Sequence, residues 1–327
     1  MYILTKLWNP EMFQGRYKKK NYFEGWYFKL INDKRDTVLG VIPGISLEAD
    51  SKNSHSFIQV FDGIEGEVDY FSFPIDDFHS SNKNFVVQIG DNYFNSSKIK
   101  LDLENNNTKI QGTLSFYNIV PFPKSIIYPG IMGPFSYLPF MECYHGIVNI
   151  HHNIKGALTI NHENISFDKG YGYIEKDWGV SFPEAYIWLQ SNHFAQENIS
   201  VMFSIAKIPW LRKHFIGHIS FLKIGDNFFR FATYTGAKIK RLKKYANGIE
   251  AIIEDRHHRL EISATFSKSS ILIAPQKGVM NREILESITS QVHVKLSDKS
   301  NNIIFQGEGK NTGLEMVGDL SVLLPKS

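Results

Sequence analysis

The sequence of 327 residues contains a single cysteine, Cys143. One cysteine cannot form an intramolecular disulfide, which fits a reducing compartment, and packing is its expected role. Long apolar runs are also missing, because no segment reaches the ~18 residues that a membrane-spanning helix needs. The N-terminal MYILTKLWNPEMF is interrupted at Lys6 and Pro10, where a signal peptide would be continuously apolar. These absences predict a cytoplasmic protein, soluble or attached peripherally to the inner face of the membrane.

A strong excess of charge of either sign is lacking as well. The 36 basic and 33 acidic residues give a net charge of +3, which is too small to argue for a nucleic-acid partner. The motifs of nucleotide binding and of serine nucleophiles are absent: GIS at 44–46 lacks its closing glycine, and GYGYIE from Gly170 lacks the third glycine of a dinucleotide fingerprint. We therefore predict neither a nucleic-acid partner nor a nucleotide cofactor.

Four histidines, His145, His151, His152 and His193, are close enough in sequence to raise the question of a metal site. They come from mixed strand faces, and no cysteine pair or His-Glu-x-x-His motif accompanies them. Their spacing matches no established set of metal ligands. We predict no metal.

Aromatic residues are abundant, at 14% of the chain with 25 Phe and 15 Tyr. They favour strands and suit an interior that contacts a bulky apolar ligand. Short apolar runs separated by Gly, Asp, Asn and Ser predict antiparallel strands from Thr37 onward, whereas NREILESITSQ (281–291) is one of the few plausible helices. The pattern predicts an all-β protein of two antiparallel β-barrel modules with few short helices, residues 1–155 and 156–327.

One carboxylate of the first predicted strand lies among aromatic residues. Alternation in NYFEGWYFKLIN places Glu24 on one face with Tyr22, Trp26 and Phe28. Burial in that company favours the neutral, protonated form that a proton donor needs. The alternative is a Glu24 that forms an ion pair with a basic neighbour.

The stretch from Gly170 to Phe194 combines carboxylates, aromatic rings and amides. Tyr173, Glu175 and Asp177 share one face of a regular strand, and Trp178 follows directly. A protonated acid beside aromatic rings is suited to protonating an alkene, because the rings stabilise the resulting cation. We therefore regard this strand as the wall of a candidate site.

The next strand, YIWLQSN, has an aromatic and amide face opposite an aliphatic one. The first face carries Tyr186, Trp188, Gln190 and Asn192. One interpretation is that it lines a cavity that holds a large, mostly apolar molecule. The other is an amide pair that is satisfied inside a barrel core.

An apolar loop from Pro121 to Phe140 contains five prolines. An exposed apolar loop usually covers something, so it predicts a lid or a membrane contact, and the alternative is a packed crossover between domains. IPWLRKHF (208–215) and AKIKRLKK (237–244) carry aromatic and basic residues suited to an anionic membrane surface. Their alternative is a pair of solvated basic turns.

Three blocks of the sequence resemble the tocopherol cyclase family: NYFEGWYFK (21–29), GPFSYLPFMECYHG (133–146) and GYGYIEKDWGVSFPEAYIWLQSNHF (170–194). The chain is more distantly similar to the carotenoid hydratase and hydroxyneurosporene synthase group, which is associated with paired lipocalin-like barrels. The resemblance therefore implies that the two predicted modules are lipocalin-like.

The resemblance implies an enzyme that protonates the first prenyl double bond of a prenylated hydroquinone, after which the phenol oxygen closes a chromanol ring. No metal or redox cofactor is implied. Asp177 is the first candidate for the general acid and Glu24 the second. The implied substrate-binding residues are those that stabilise the cation or orient the phenol: Trp26, Tyr144, His145, Tyr173, Trp178, Trp188, Gln190 and Asn192. The alternatives are a hydratase, in which water captures the cation, and a non-catalytic lipocalin-like protein that binds a lipid.

Overall fold

The computed structural model describes residues 6–210 and 213–324, and their regular secondary structure is almost entirely strand. The strands of the N-terminal half are β1 (Tyr22–Ile31), β2 (Val38–Leu47), β3 (His55–Asp62), β4 (Val68–Pro74), β5 (Phe78–Ser80), β6 (Val86–Ile89), β7 (Asn92–Asn95), β8 (Lys98–Glu104), β9 (Lys109–Pro121), β10 (Cys143–Ile160), β11 (Glu163–Ser166) and β12 (Gly170–Gly179). Those of the C-terminal half are β13 (Tyr186–Ser191), β14 (His193–Phe194), β15 (Ile199–Trp210), β16 (Lys213–Ile224), β17 (Asn227–Ala232), β18 (Lys238–Tyr245), β19 (Gly248–Glu254), β20 (His258–Thr265), β21 (Ser270–Gln276), β22 (Val279–Asp298) and β23 (Ile303–Val317). Short 3-10 helices span Ser51–Asn53, Ile75–Asp77, Gly133–Tyr137, Thr233–Thr235 and Leu320–Leu323.

Residues 211 and 212 of IPWLRKHF lie outside the described residues, as do residues 1–5 and 325–327, and the rest of that segment belongs to β15 and β16. The basic segment 237–244 falls mostly in β18 and is a strand instead of a turn. Among the residues that are described, no helix is long and apolar enough to cross a bilayer.

The strands form two antiparallel sheets. The first has twelve strands in the order β4-β3-β2-β1-β12-β10-β9-β8-β7-β6-β5, with β11 beside β10. The second has eleven strands in the order β17-β16-β15-β13-β23-β22-β20-β19-β18, with β14 beside β23 and β21 beside β22. The predicted all-β fold class of two lipocalin-like barrel modules is confirmed.

The chain divides into two compact units at a different place from the predicted boundary. Unit 1 contains the described residues up to Phe182 together with Leu272–Glu283, and unit 2 contains the other described residues. The predicted division at residue 155 lies inside β10. It would also separate β12 from β1 and β10, the two strands between which β12 is hydrogen-bonded.

Unit 1 surrounds an aromatic and aliphatic core. Alternate residues of β1, including Trp26 and Phe28, point into this core together with Ile174 of β12. The core also draws on strands near both ends of the sheet, such as Phe71 of β4 and Val87 of β6, so the sheet curls into a nearly closed barrel. Each fully buried aliphatic or aromatic side chain contributes about 1.5–3 kcal/mol.

Unit 2 has a second, separate core. Ile187 and Leu189 of β13 belong to it, with Leu314 of β23. The alternation of a strand therefore places Tyr186 and Trp188 on the opposite face of β13.

The predicted helix over 281–291 is wrong, because these residues lie in β22. Ile284 and Ile288 are both buried, and a spacing of four residues fits the period of a strand as well as that of a helix. Pairing of β22 with β20 and β23 decides in favour of the strand. Helix-favouring Glu and Leu side chains misled the prediction, since tertiary context overrides propensity.

A bulge changes the faces of β10. Cys143, His145 and Ile147 share one face, with Ile147 opposite Glu175. The register then shifts, so that Asn149 is opposite Ile174 and lies on the other face. Sequence alternation cannot locate such an extra residue.

The apolar loop between Pro121 and Cys143 joins β9 to β10. Both strands belong to unit 1, so the loop is not a crossover between domains.

Candidate active site

Strand β12 positions the candidate residues because it lies between β1 and β10. Its residues are directly opposite their partners in both neighbours, so that Gly25, Asp177 and His145 form one row across the sheet. The next row is Tyr27, Glu175 and Ile147. We call the face that carries these rows the acid face, and the face toward the core of unit 1 the core face.

Asp177 and His145 are in direct contact on the acid face. The distance from His145 Nδ1 to Asp177 Oδ1 is 2.9 Å. The Asp177 side chain is 23% exposed and that of His145 is 13% exposed. This is a partly buried acid–imidazole pair, in which one proton can move between two groups of suitable geometry.

Glu175 lies on the other side of the same imidazole. Its Oε2 is 3.5 Å from His145 Nε2 and accepts a 2.6 Å hydrogen bond from the Tyr173 hydroxyl. Tyr173 is fully buried, and burial, followed by the charge of Glu175, holds the pKa of its phenol well above the usual value. Tyr173 therefore remains a hydrogen-bond donor that fixes Glu175.

Glycine keeps the position beside Asp177 free of a side chain. Gly25 is directly opposite Asp177, and a Cβ atom at Gly25 would be in ordinary contact with Ile42, at 3.5 Å. Phe23 and Tyr27 flank Gly25 on the same face. Along β1, aromatic residues therefore lie on both sides of the glycine that faces the acid.

These side chains have the chemistry of a metal site as well as that of a proton relay. Ligand atoms of His145, Glu175 and Asp177 all lie within 4.8 Å of one another, and the described residues contain no other such group of three. However, Nδ1 of His145 faces Asp177 and Nε2 faces Glu175. A single ion would need one imidazole nitrogen and both carboxylates aimed at one point, so the observed geometry favours a shared proton.

Glu24 lies one row from Asp177 in the register, opposite Trp178, but on the core face, so the sheet separates it from this cluster. It forms an ion pair with Lys176 at 2.5 Å, and both side chains are fully buried. Glu24 also accepts hydrogen bonds from the backbone N–H groups of Gln14 and Gly15 and from the Tyr22 hydroxyl. Donors therefore surround this carboxylate, as in the ion-pair alternative, and this geometry does not support the general-acid role of Glu24.

The ammonium of Lys176 lies over the rings of Trp26 and Trp178, the two tryptophans that were predicted to stabilise a carbocation. It lies 4.7 Å from the ring centroid of Trp26 and 4.8 Å from that of Trp178, and it donates to the carbonyl oxygens of Pro10 and Met12. Burial lowers the pKa of Lys176 to about 8, although Glu24 opposes the shift. Trp26 and Trp178 thus face the core side, away from Asp177, and their predicted role is not supported.

Tyr144 also lies on the core face. Its ring stacks on Trp178 with centroids 5.4 Å apart, and its hydroxyl donates to the Leu138 carbonyl at 2.7 Å. The phenol therefore holds the loop before β10, and this contact does not support the predicted use of Tyr144 to orient the substrate phenol.

The remaining predicted residues belong to unit 2. Trp188 and Gln190 are buried on the face of β13 that is opposite to the core of unit 2. On that face the Tyr186 hydroxyl donates to Glu315 Oε2 at 2.5 Å. Asn192, which follows β13, is buried as well.

Besides Lys176, three further buried charged residues were not identified from the sequence. Glu315 is opposite Trp188, and Glu286 is opposite Glu315 on β22. The helix that was incorrectly predicted over 281–291 has a period of 3.6 residues instead of 2, so it did not mark Glu286 as buried. Lys29, fully buried and opposite Tyr173, could have been found from its position among apolar residues in a strand.

The architecture and the site define a two-unit, lipocalin-like β-protein with an acid cluster on one sheet face. The chain belongs to the tocopherol cyclase-like family, whose model matches residues 104–318. No curated protein matches the chain in sequence. The solved structure of CghA with Sch210972 is similar over 91% of this chain and 89% of CghA, with 10% identity and a TM-score of 0.56, which shows a shared fold. Kievitone hydratase from Nectria haematococca is similar over 94% of each chain, with 12% identity and a TM-score of 0.48.

Proposed function

We propose that the protein is an enzyme that closes a chromanol ring by acid-catalysed addition of a phenol to the prenyl double bond of a prenylated quinol. Family membership supports a cyclase, and the contact of His145 with Asp177 on the acid face carries the choice of chemistry. The substrate is then a hydrophobic small molecule, and the reaction uses no redox cofactor.

Asp177 is the general acid of this proposal. In its protonated form it delivers the proton to the less substituted alkene carbon, which leaves a tertiary cation. The phenol oxygen forms the new C–O bond, and its proton returns to the Asp177–His145 pair. The net reaction is an isomerisation in which the acid is regenerated. Such proton transfer typically contributes about 10²–10⁴-fold to a rate.

His145 positions Asp177, and Glu175 with Tyr173 positions His145. The 2.9 Å contact fixes the carboxyl group, and the 2.6 Å hydrogen bond from Tyr173 fixes Glu175 on the far side of the imidazole. Held in place by this chain of contacts, the acid needs little reorganisation when the cation develops.

Rings that stabilise the cation must lie on the acid face. Tyr27 is opposite Glu175, and Phe23 is on the same side of β1. Both rings are buried, and their negative faces attract a cation. We assign them the role that the sequence had given to Trp26 and Trp178.

Incubation of the purified protein with a prenylated hydroquinone, followed by mass and absorbance analysis, tests the function. A product of unchanged mass with a chromanol spectrum supports the cyclase. A gain of one water identifies a hydratase, and unaltered quinol recovered with the protein identifies a lipid-binding protein.

The matched variants are Asp177→Asn and Asp91→Asn, the latter an exposed turn residue between β6 and β7. Ring closure should fall by about 10²–10⁴-fold in the first and persist in the second. Near-normal turnover of Asp177→Asn would remove Asp177 from the acid role.

A further inference from the structure

The loop between β9 and β10 exposes large apolar side chains to solvent. Ile126 is 79% exposed, Ile127 is 62% exposed and Phe140 is 93% exposed. Contiguous exposed apolar residues mark a contact with another molecule or a membrane, since they contribute nothing to the protein's own core.

Hydrogen bonds fix the conformation of the loop that carries these exposed residues. Ser125 and Tyr128 exchange backbone hydrogen bonds of 2.9 and 3.0 Å, which places Ile126 and Ile127 at the two central positions of a tight turn. Such positions normally favour Gly, Pro, Asn, Asp or Ser. The Tyr137 hydroxyl donates to the Ile126 carbonyl at 2.5 Å, so the turn is fixed to the rest of the loop.

Phe140 is unusual in its backbone as well as in its exposure. Its φ of 65° lies in the left-handed region, which residues other than glycine rarely adopt. On either side of the apolar tips, Phe122 and Met141 are buried and anchor the loop. The exposed rings and branched chains are therefore presented on a defined support.

A basic segment of unit 1 lies at the same end of the first sheet, just before β1. Phe23, Gly179 and Cys143 form one row across β1, β12 and β10, so β1 and β10 begin about 10 Å apart. Phe140 lies just before β10. The residues just before β1 include an exposed run of cations: Arg16, Lys18, Lys19 and Lys20.

Acidic groups at this end leave the positive charge of that run in place. Glu11 lies 3.3 Å from Lys124, which also donates to the Trp8 carbonyl. Glu142 is only partly exposed, and Glu48 and Asp50 follow β2, whose Leu47 is opposite Tyr22. Lys52 lies close to Asp50 in the same turn, so the cations named at this end outnumber the acidic residues.

We propose that this end of unit 1 docks on an anionic lipid bilayer, with Ile126, Ile127 and Phe140 inserted among the headgroups and the basic run 16–20 against the negative surface. The combination of apolar insertion and basic attraction gives reversible peripheral binding, and each mechanism strengthens the other. This inference does not depend on the proposed reaction.

Sedimentation with vesicles tests the docking without any measurement of activity. The wild-type protein should bind vesicles of phosphatidylcholine with 30% phosphatidylglycerol more tightly than vesicles of phosphatidylcholine alone. Loss of three cations in K18S/K19S/K20S should weaken binding to the anionic vesicles by up to about 100-fold at low salt, from about fivefold per cation. I126S/I127S should weaken binding to both vesicles by at least about tenfold.

The control is I303S/I304S, which removes two exposed adjacent isoleucines from unit 2. It should bind like the wild type. F140S provides an independent test should I126S/I127S fail to fold. Absence of wild-type binding to anionic vesicles would overturn the proposal, as would equal losses in I126S/I127S and I303S/I304S. A wild-type dimer in solution that I126S/I127S converts to a monomer would show that a second copy of the chain occupies the patch, and would also overturn it.

Discussion

The buried ion pair between Glu24 and Lys176 provides a quantitative test of the core face. Both side chains have no exposed surface, and Nζ and Oε1 are 2.5 Å apart. Removal of one partner from a buried pair leaves an uncompensated charge and costs about 3–5 kcal/mol. Glu24→Gln and Lys176→Met should each lower the free energy of unfolding by this amount. The double variant should lose clearly less than the sum, because no charge is left unpaired.

Urea unfolding followed by circular dichroism measures these free energies. Glu104→Gln is the control, since it breaks the exposed 2.8 Å pair with Lys109 and should leave the free energy of unfolding near that of the wild type. The reasoning is refuted if Glu24→Gln stays within about 1 kcal/mol of the wild type, or if the two single losses add without coupling.

Three further predictions concern the pH dependence of stability, the hydrogen bond from Tyr173 to Glu175 and the glycine opposite Asp177. Burial holds the pKa of His152 well below its ordinary 6.5, so only the unfolded state gains a proton below pH 6.5. The free energy of unfolding should therefore fall as pH drops below 6.5, by up to about 1.4 kcal/mol per pH unit, and His152→Leu should flatten this decline in urea unfolding between pH 4 and 8. Tyr173→Phe should lower kcat about tenfold in steady-state assays while KM stays near normal, and an unchanged kcat would exclude the relay. Gly25→Leu should place a branched side chain beside Asp177 and raise KM, whereas Gly25→Ala, whose Cβ makes only an ordinary contact with Ile42, should remain active; full activity of Gly25→Leu would place the substrate elsewhere.

Much of the fold follows from periodicity. Alternation in β1 correctly separates Trp26 and Phe28 from Tyr27, because a strand with one core face must repeat every two residues. The same rule failed after Ile147, since a bulge adds a residue that no local pattern marks. It also failed at Ile284 and Ile288, whose spacing satisfies a helix and a strand equally.

The candidate site was only partly predictable. Asp177 and Glu175 could be placed on one face from sequence. Their contact with His145 depends on the pairing and register of β10 with β12, which sequence alternation does not define. The partner of Glu24 was likewise unknown, because Lys176 reaches it from a strand about 150 residues away. Glu24 and Asp177 both have aromatic neighbours in the sequence, yet they lie on opposite faces of one sheet.

The central claim is that Asp177, held by His145, protonates a carbon–carbon double bond. The most direct measurement is turnover of a prenylated hydroquinone in D₂O, with analysis of the product by mass spectrometry and NMR. We expect one deuterium on the carbon that was protonated, which is adjacent to the tertiary carbon of the new C–O bond. Asp177→Asn should not form this product. A ring-closed product without carbon-bound deuterium, or equal deuterium incorporation by Asp177→Asn and the wild type, would contradict it.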